Sequence, residues 1–477
     1  MNRYFQRSFM SAIVLLLFAG CTLGPNYAKP DLDVPLVYKE GAPWKEATPQ
    51  DQVSRGAWWE IYGDPVLNRL EEQTAAANQT LAAAFARLTQ AQAVARIDRA
   101  DRLPRLDLNA SMGRSRTAGD FSATGEGATG NSFSVPLDLS YEIDLWGRVR
   151  RTVEASNADA QVSEADYLSL LLSLQAEVAG NYFALRSLDQ EIELLQRTVR
   201  LRRENLDLVT SLFNQGQIGQ LDLARAQTEL ATTEAEAIGL GKRRAELEHA
   251  LAVLSGRPAS EFALPAAGLA VRVPAVAPGL PSRLLERRPD ISAAERQMIA
   301  SNARIGVAKT AFFPAIRLTG SAGFSSTETS SLFAWDSRSW ALGPAVSLPV
   351  FEAGRNSANL ERAKAAYEET VAEYRQQVLV AFAEVENALS GLRILSEQEV
   401  VQQRAVDASR QAAALSDKRY RAGLVSYLEV VDSQRTALQI ERSAVQIFGQ
   451  RLQSSVLLIK ALGGGWQEHP VSATRVL

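Results

Sequence analysis

Between residues 133 and 145 the apolar side chains fall on every odd position: Phe133, Val135, Leu137, Leu139, Tyr141, Ile143 and Leu145. Asp138, Ser140, Glu142 and Asp144 occupy the positions between them. Period two predicts a strand with one greasy face and one wet, acidic face. "LDLNASM" (106–112) and "IRLTGSAG" (316–323) repeat the alternation more weakly, and residues 340–350 carry it on Trp340, Leu342, Val346, Leu348 and Val350. A soluble β-sandwich would also explain one apolar face. These strands, however, have the length of a bilayer crossing, ~9 to 11 residues. The Gly-, Ser- and Thr-rich stretches 114–132 and 325–339 read as exposed loops.

A second pattern has the period of a helix. From Arg148 to Gln215, and again from Arg355 to Ala422, no proline occurs and each stretch holds one internal glycine, Gly180 or Gly391. Apolar and small residues recur at three- and four-residue steps, as in Val162, Ala165, Leu168, Leu172 and Ala176. A continuous helix of that length measures roughly 100 Å at 1.5 Å per residue, far beyond an ordinary globular helix. An intermolecular coiled coil is one reading. The predicted return helix of some 40 residues after each glycine turn favours hairpins packed side by side instead.

The two patterns occur twice, in the same order. At an offset of 207 residues "LFNQGQIGQLDLARAQ" (212–227) overlays "RYRAGLVSYLEVVDSQ" (419–434), so that Gly216 meets Gly423, Leu221 meets Leu428 and Gln227 meets Gln434. The same offset brings Gly147-Arg148 onto Gly354-Arg355 and Gly256 onto Gly463. The chain is therefore an internal duplication of the order helix, strand, strand, long helix, turn, helix. Four strands cannot close a barrel, and an open edge in lipid leaves backbone groups unpaired. Eight strands from two copies would fill their own interior, whereas twelve from three copies leave room for water. The expected fold is a mixed α/β membrane protein: a homotrimeric twelve-stranded β-barrel, four strands per chain, continued by a long α-helical barrel. Asp138, Glu142 and Asp144 would line its lumen.

Composition narrows the chemistry. Lysine plus arginine number 51 against 54 acidic residues, so no basic surface announces nucleic acid. With two histidines, His249 and His469, and no HExxH, Walker loop or GxSxG, neither an enzyme nor a metal or cofactor site is expected. The single cysteine, Cys21, excludes an internal disulfide. It follows Arg3 and Arg7, an apolar run from Ile13 to Phe18, and Ala19-Gly20, the order of a secretory signal. Ending such a segment on Cys looks like a bacterial lipobox, with Cys21 diacylated as the mature N-terminus. Phe18 departs from the usual leucine of that motif.

Six motifs in order resemble the TolC-like outer-membrane efflux proteins, in the lipoprotein branch typified by OprM and CusC. They are "CTLGPNYAKP" (21–30), "WWEIYGDPVLNRL" (58–70), "LSYEIDLWGRVR" (139–150), the run from "LLERRPDISAAERQ" to "LTGSAG" (284–323), "VFEAGR" (350–355) and "YRAGLVSYLEVVDSQR" (420–435). The resemblance implies a lipid-anchored outer-membrane homotrimer reaching into the periplasm of a Gram-negative cell. It implies docking to a periplasmic adaptor (membrane fusion protein) and an inner-membrane RND pump, and passive export of drugs or other small toxic solutes. A duct for type I protein secretion is the alternative within the fold. A non-conducting coiled-coil lipoprotein is the alternative outside it. By resemblance the turns at Gly216, Gly219, Gly423 and Ser426 meet the adaptor. Leu428 and Asp432 map to the leucine and aspartate that constrict the closed tip, with Arg435 beyond them. The repeat adds Arg225, which stands 207 residues before Asp432 with opposite charge.

The expected boundaries are a lipoprotein signal 1–20 and an anchored segment 21–64. A first repeat 65–261 comprises helix 65–103, strands 104–115 and 132–146, long helix 148–215 and return helix 220–255. After a linker 262–281, a second repeat 282–462 comprises helix 289–311, strands 314–325 and 339–351, long helix 355–422 and return helix 426–461. A tail 463–477 closes the chain.

Overall fold

The computed structural model describes residues 22–31, 38–39, 56–118, 127–274 and 288–464. The expected signal peptide, Cys21 and all but the first two residues of the expected tail lie outside the described residues. The described helices are α1 (Pro65–Ala77), α2 (Gln79–Ala100), α3 (Arg148–Asn214), α4 (Gln220–Leu254), α5 (Pro289–Thr310), α6 (Arg355–Arg421) and α7 (Tyr427–Ala461). The strands are β1 (Arg105–Leu108), β2 (Ser111–Arg116), β3 (Thr129–Glu142), β4 (Ala315–Ser326) and β5 (Arg338–Ser347). No described helix is long and apolar enough to cross a membrane.

Two compact units are formed. The first contains residues 22–31 and the described parts of 87–164 and 293–375, with all five strands. Its sheet is antiparallel throughout, in the order β1-β3-β4-β5, and β2 pairs with β3 beyond β1. The single expected strand 104–115 is thus two, and the reason is covalent. Asn109 donates to the Pro136 carbonyl at 3.0 Å, but proline has no N–H to return, so the ladder is interrupted there. β3 ends at Glu142 and β5 at Ser347, short of the expected 146 and 351. Pro349 cannot donate to a ladder, and Asp144 is drawn into the start of α3.

Register places Leu106 and Leu108 opposite Leu139 and Leu137, Leu137 opposite Ala322, and Ala322 opposite Trp340. Partners across a sheet share a face, so one face is apolar from edge to edge. Its Leu106, Leu108, Met112, Trp340, Leu342 and Val346 are exposed. The opposite face carries Asp107, Asp138 and Ser321 in one row and Glu142 and Arg317 in another.

Residues 22–31 run along this unit as a strap. Leu23 donates to the Trp146 carbonyl at 3.0 Å, Arg151 donates to the Leu23 carbonyl at 3.2 Å, and Asn302 donates to the Pro25 carbonyl at 2.9 Å. Lys29 pairs with Glu295 at 2.8 Å. Gly24 allows the closest approach, since a Cβ there would meet Gly306 Cα at 2.5 Å.

The second unit, made of described residues among 38–39, 56–86, 165–274, 288–292 and 376–464, holds the larger core. Trp58, Trp59, Tyr62, Leu67 and Leu70 pack on Val178, Tyr182, Phe183 and Leu185 of α3, Leu251 of α4, and Leu452 and Val456 of α7. The Tyr62 and Phe183 rings lie 4.8 Å apart. Each large side chain buried here contributes about 1.5–3 kcal/mol. The expected helix 65–103 is broken in two at Asn78, whose backbone is extended (ψ 122°) and whose side chain accepts from Leu81 N–H at 2.9 Å. Its amide donates to the Leu254 carbonyl at 2.9 Å, so tertiary contact fixes the break. The remaining helices start and stop within two residues of their expected limits.

Candidate functional site

Two places gather the residues singled out by sequence: the helical tips and the polar face of the sheet. At the first tip α3 ends in Gly216, with φ of 71°. Gly216 donates to Phe213 and Gln217 to Leu212, both at 2.9 Å, which satisfies carbonyls that a helix end leaves open. At the second tip Gly423 has φ of 73°, donates to Tyr420 at 2.8 Å, and is followed by Leu424 donating to Arg419 at 2.9 Å. The two turns are copies. Extended Gly219 and Ser426 then start α4 and α7, and neither supplies a side-chain cap.

Behind the tips Val209, Ala226, Tyr427, Val430 and Val431 form a small core. It fixes the rotation of α7 and so presents the other face outward: Leu428 is 50 % exposed, and Asp432 is exposed with no partner among the described residues. Arg225 binds Asp222 within its own helix, at 3.4 Å, and does not meet Asp432 in the chain. Arg435 is engaged too, since it donates to Glu229.

Glu229 is not among the residues singled out by sequence. It is buried, and it receives both Arg435 from α7 and Arg202 from α3. Arg202 also donates to the Glu229 carbonyl oxygen at 3.1 Å. Burial, with Arg435 nearby, lowers the pKa of Arg202. Two signals were available: a carboxylate in step with the buried Ala226 and Thr233, and its loss in the repeat, where the equivalent position is Thr436. Other ties are duplicated. Arg203 pairs with Glu234 at 2.6 Å, and 207 residues on Arg410 pairs with Glu441 at 2.5 Å. Each hairpin has its own brace, while the Glu229 hub joins the first hairpin to the second.

The sheet requires a correction. Asp138 does lie on the polar face, accepting from Asn109 at 2.7 Å and standing opposite Asp107. Glu142, on the same face, is held by the Arg148 guanidinium in two bonds of 2.7 and 2.8 Å. Asp144 is off the strand: it accepts from the backbone N–H groups of Val149 and Arg150 at 3.1 and 2.9 Å and thereby caps α3. Of the three acidic positions expected to line the lumen, Glu142 is thus paired with Arg148 and Asp144 with the α3 N-terminus and the Arg150 guanidinium at 3.3 Å, and Asp138 alone has no cationic partner among the described residues.

Comparison with known proteins adds to this geometry. The family model described as outer membrane efflux protein matches residues 70–257 and 280–464, most of the chain. The solvent efflux pump outer membrane protein SrpC of Pseudomonas putida is 34 % identical over 461 residues, spanning 95 % of this chain and 97 % of that protein. The solved outer-membrane channel OprN superposes with a TM-score of 0.87 at 33 % identity, over 94 % of this chain and 100 % of that one. The open state of the Neisseria gonorrhoeae MtrE outer membrane channel gives 0.82 at 32 % identity, over 93 % and 98 %.

Proposed function

The chain belongs to the outer membrane efflux protein family, and from that premise we propose that three copies assemble into a passive exit duct for small toxic solutes, fed by a periplasmic adaptor and an inner-membrane RND pump. The observation that carries the reading is the sheet. It has one continuous apolar face, one polar face, and two free edges at β1/β2 and β5. In lipid each free edge would leave N–H and C=O groups without partners. Joining β5 of one copy to β1 and β2 of the next satisfies both, and three copies give twelve strands around a water-filled lumen.

In this reading Cys21 carries the acyl chains, and the strap that follows it, hydrogen-bonded beside Trp146, keeps them near the sheet. The tips at Gly216, Gly219, Gly423 and Ser426 receive the adaptor. Leu428 and Asp432 narrow the closed entrance, and Arg225 of a neighbouring copy faces Asp432 across the ring. The relative SrpC is named for solvent efflux, and exported compounds of the same small, apolar kind suit a duct with no chemistry of its own.

Single-channel recording of the purified protein in planar bilayers, with cysteine cross-linking between the β5 and β1/β2 edges, tests the proposal. Discrete conductance and a trimeric cross-linked band are expected. A protein that cross-links but never conducts would be a structural lipoprotein, and absence of both would refute the barrel.

A further inference from the structure

Helix α1 buries a carboxyl that nothing so far explains. Glu71 is 0 % exposed, and neither of its oxygens has a hydrogen-bond partner among the described residues. One turn on, Thr74 is also 0 % exposed with its hydroxyl unpartnered, and one turn back the Asn68 side-chain amide oxygen is buried and unpartnered. The neighbours Leu67 and Leu70 are packed in the main core of their unit. Acidic side chains are almost never fully buried unless paired, because an isolated carboxylate away from water is very costly. Among the described residues no cation pairs with it. On the same helix Glu72 and Arg69 are exposed, and Asp64 is taken by Tyr182 and the helix N-terminus. From α3, Glu177 is exposed and Arg186 binds Asp189 and the Pro265 carbonyl. From α4, Glu248 binds Arg244 and Leu264 N–H and His249 is exposed; from α7, Arg451 binds Glu399.

We propose that Glu71 is a proton-binding site that locks α1 into the core, held as the neutral acid in the folded protein and released from its packing when it ionises. Only in the neutral form does the group carry an O–H, a donor for one of the two buried, unpartnered oxygens a helical turn away, the Asn68 side-chain amide oxygen or the Thr74 hydroxyl. Ionised, Glu71 brings an unpaired charge against Leu67 and Leu70 and must draw α1 toward water.

The direction of the pH dependence follows. Burial alone raises the Glu71 pKa from 4.5 to about 9. The folded state holds the proton more tightly than the unfolded chain, so the stabilisation is complete below the unfolded value and is lost as pH rises toward the folded one. Across that window the unfolding constant should increase roughly tenfold per pH unit from this group. Glu71→Gln keeps the shape and cannot ionise, and Glu71→Leu replaces the acid with an apolar group of similar volume.

The test is urea unfolding of the full-length protein in detergent at steps from about pH 5 to about pH 9, with infrared spectroscopy of the folded state. The wild type should show a carbonyl stretch from a protonated carboxyl at neutral pH, absent from both variants, and should lose stability with rising pH more steeply than either. A variant slope equal to that of the wild type overturns the proposal. So does a neutral-pH carboxyl band that survives in Glu71→Leu, which would assign it to another acid such as Asp166, also raised by burial. Should Glu71→Gln fail to fold, the wild-type band and the Glu71→Leu profile decide.

Discussion

Two residues of the one helix α4 illustrate how burial sets the worth of a charge. Glu229 is enclosed between Arg202 and Arg435, so Glu229→Ala strands the buried Arg202 without a counterion and should cost about 3–5 kcal/mol. Glu234, paired with Arg203 near solvent, should cost only about 0–1 kcal/mol when replaced by alanine. Urea titrations of the two variants under one condition check the contrast, and equal losses would deny Glu229 its role as hub. The proposed gate pair is a different matter, because Asp432 has no partner among the described residues. Arg225→Asp should leave a leak, seen as higher closed-state conductance and greater vancomycin sensitivity of the cell. Combining it with Asp432→Arg should restore part of the closure if the two groups meet between copies. A double variant as leaky as the sum of the singles would show that they do not meet.

For the sheet and its following helix, the three acidic positions divide by role. Asp138 remains on the polar face, whereas Asp144 caps α3 and Glu142 is neutralised by Arg148. Asp138→Asn should therefore shift the reversal potential in a KCl gradient away from cation preference, since one carboxylate from each of three copies still sets a negative potential in a narrow water column. Asp144→Asn should leave that potential unchanged while costing about 1 kcal/mol or less in stability, because asparagine is itself an adequate cap. If Asp144→Asn alters selectivity as strongly as Asp138→Asn, the cap faces the lumen after all. The breaks at Asn78 and Asn109 belong to the same scale. At Asn78 the side chain takes the Leu81 N–H that a continuous helix would have used, whereas at Asn109 the facing Pro136 has no N–H to complete the ladder.

At the scale of the whole molecule, the proposed lipid anchor and the proposed barrel would be separate attachments to the membrane. Cys21→Ser should abolish palmitate labelling while leaving trimers that still conduct, because the apolar sheet face supplies its own belt. A wild type that takes up no label would contradict the lipid anchor. The division between what the chain spells out and what folding adds is clear in this protein. Period-two and helical-period patterns and glycine turns are local properties, and the 207-residue repeat presents each of them twice. They sufficed to place both long helices, both hairpins and the amphipathic strands, because each is dictated by neighbours a few residues apart. Six linear motifs carried the family for the same reason. What sequence could not supply depends on groups distant along the chain. Pro136 opposite Asn109 split a strand, and the Leu254 carbonyl fixed the break at Asn78. Arg148 neutralised Glu142, and the packing of three helices turned Glu229 into the hub that binds Arg202 and Arg435. Charge and hydrogen-bond partners are chosen by proximity in space, so only the tertiary structure decided which acids pair with arginine, which become caps, and which, like Glu71, are enclosed with no partner among the described residues.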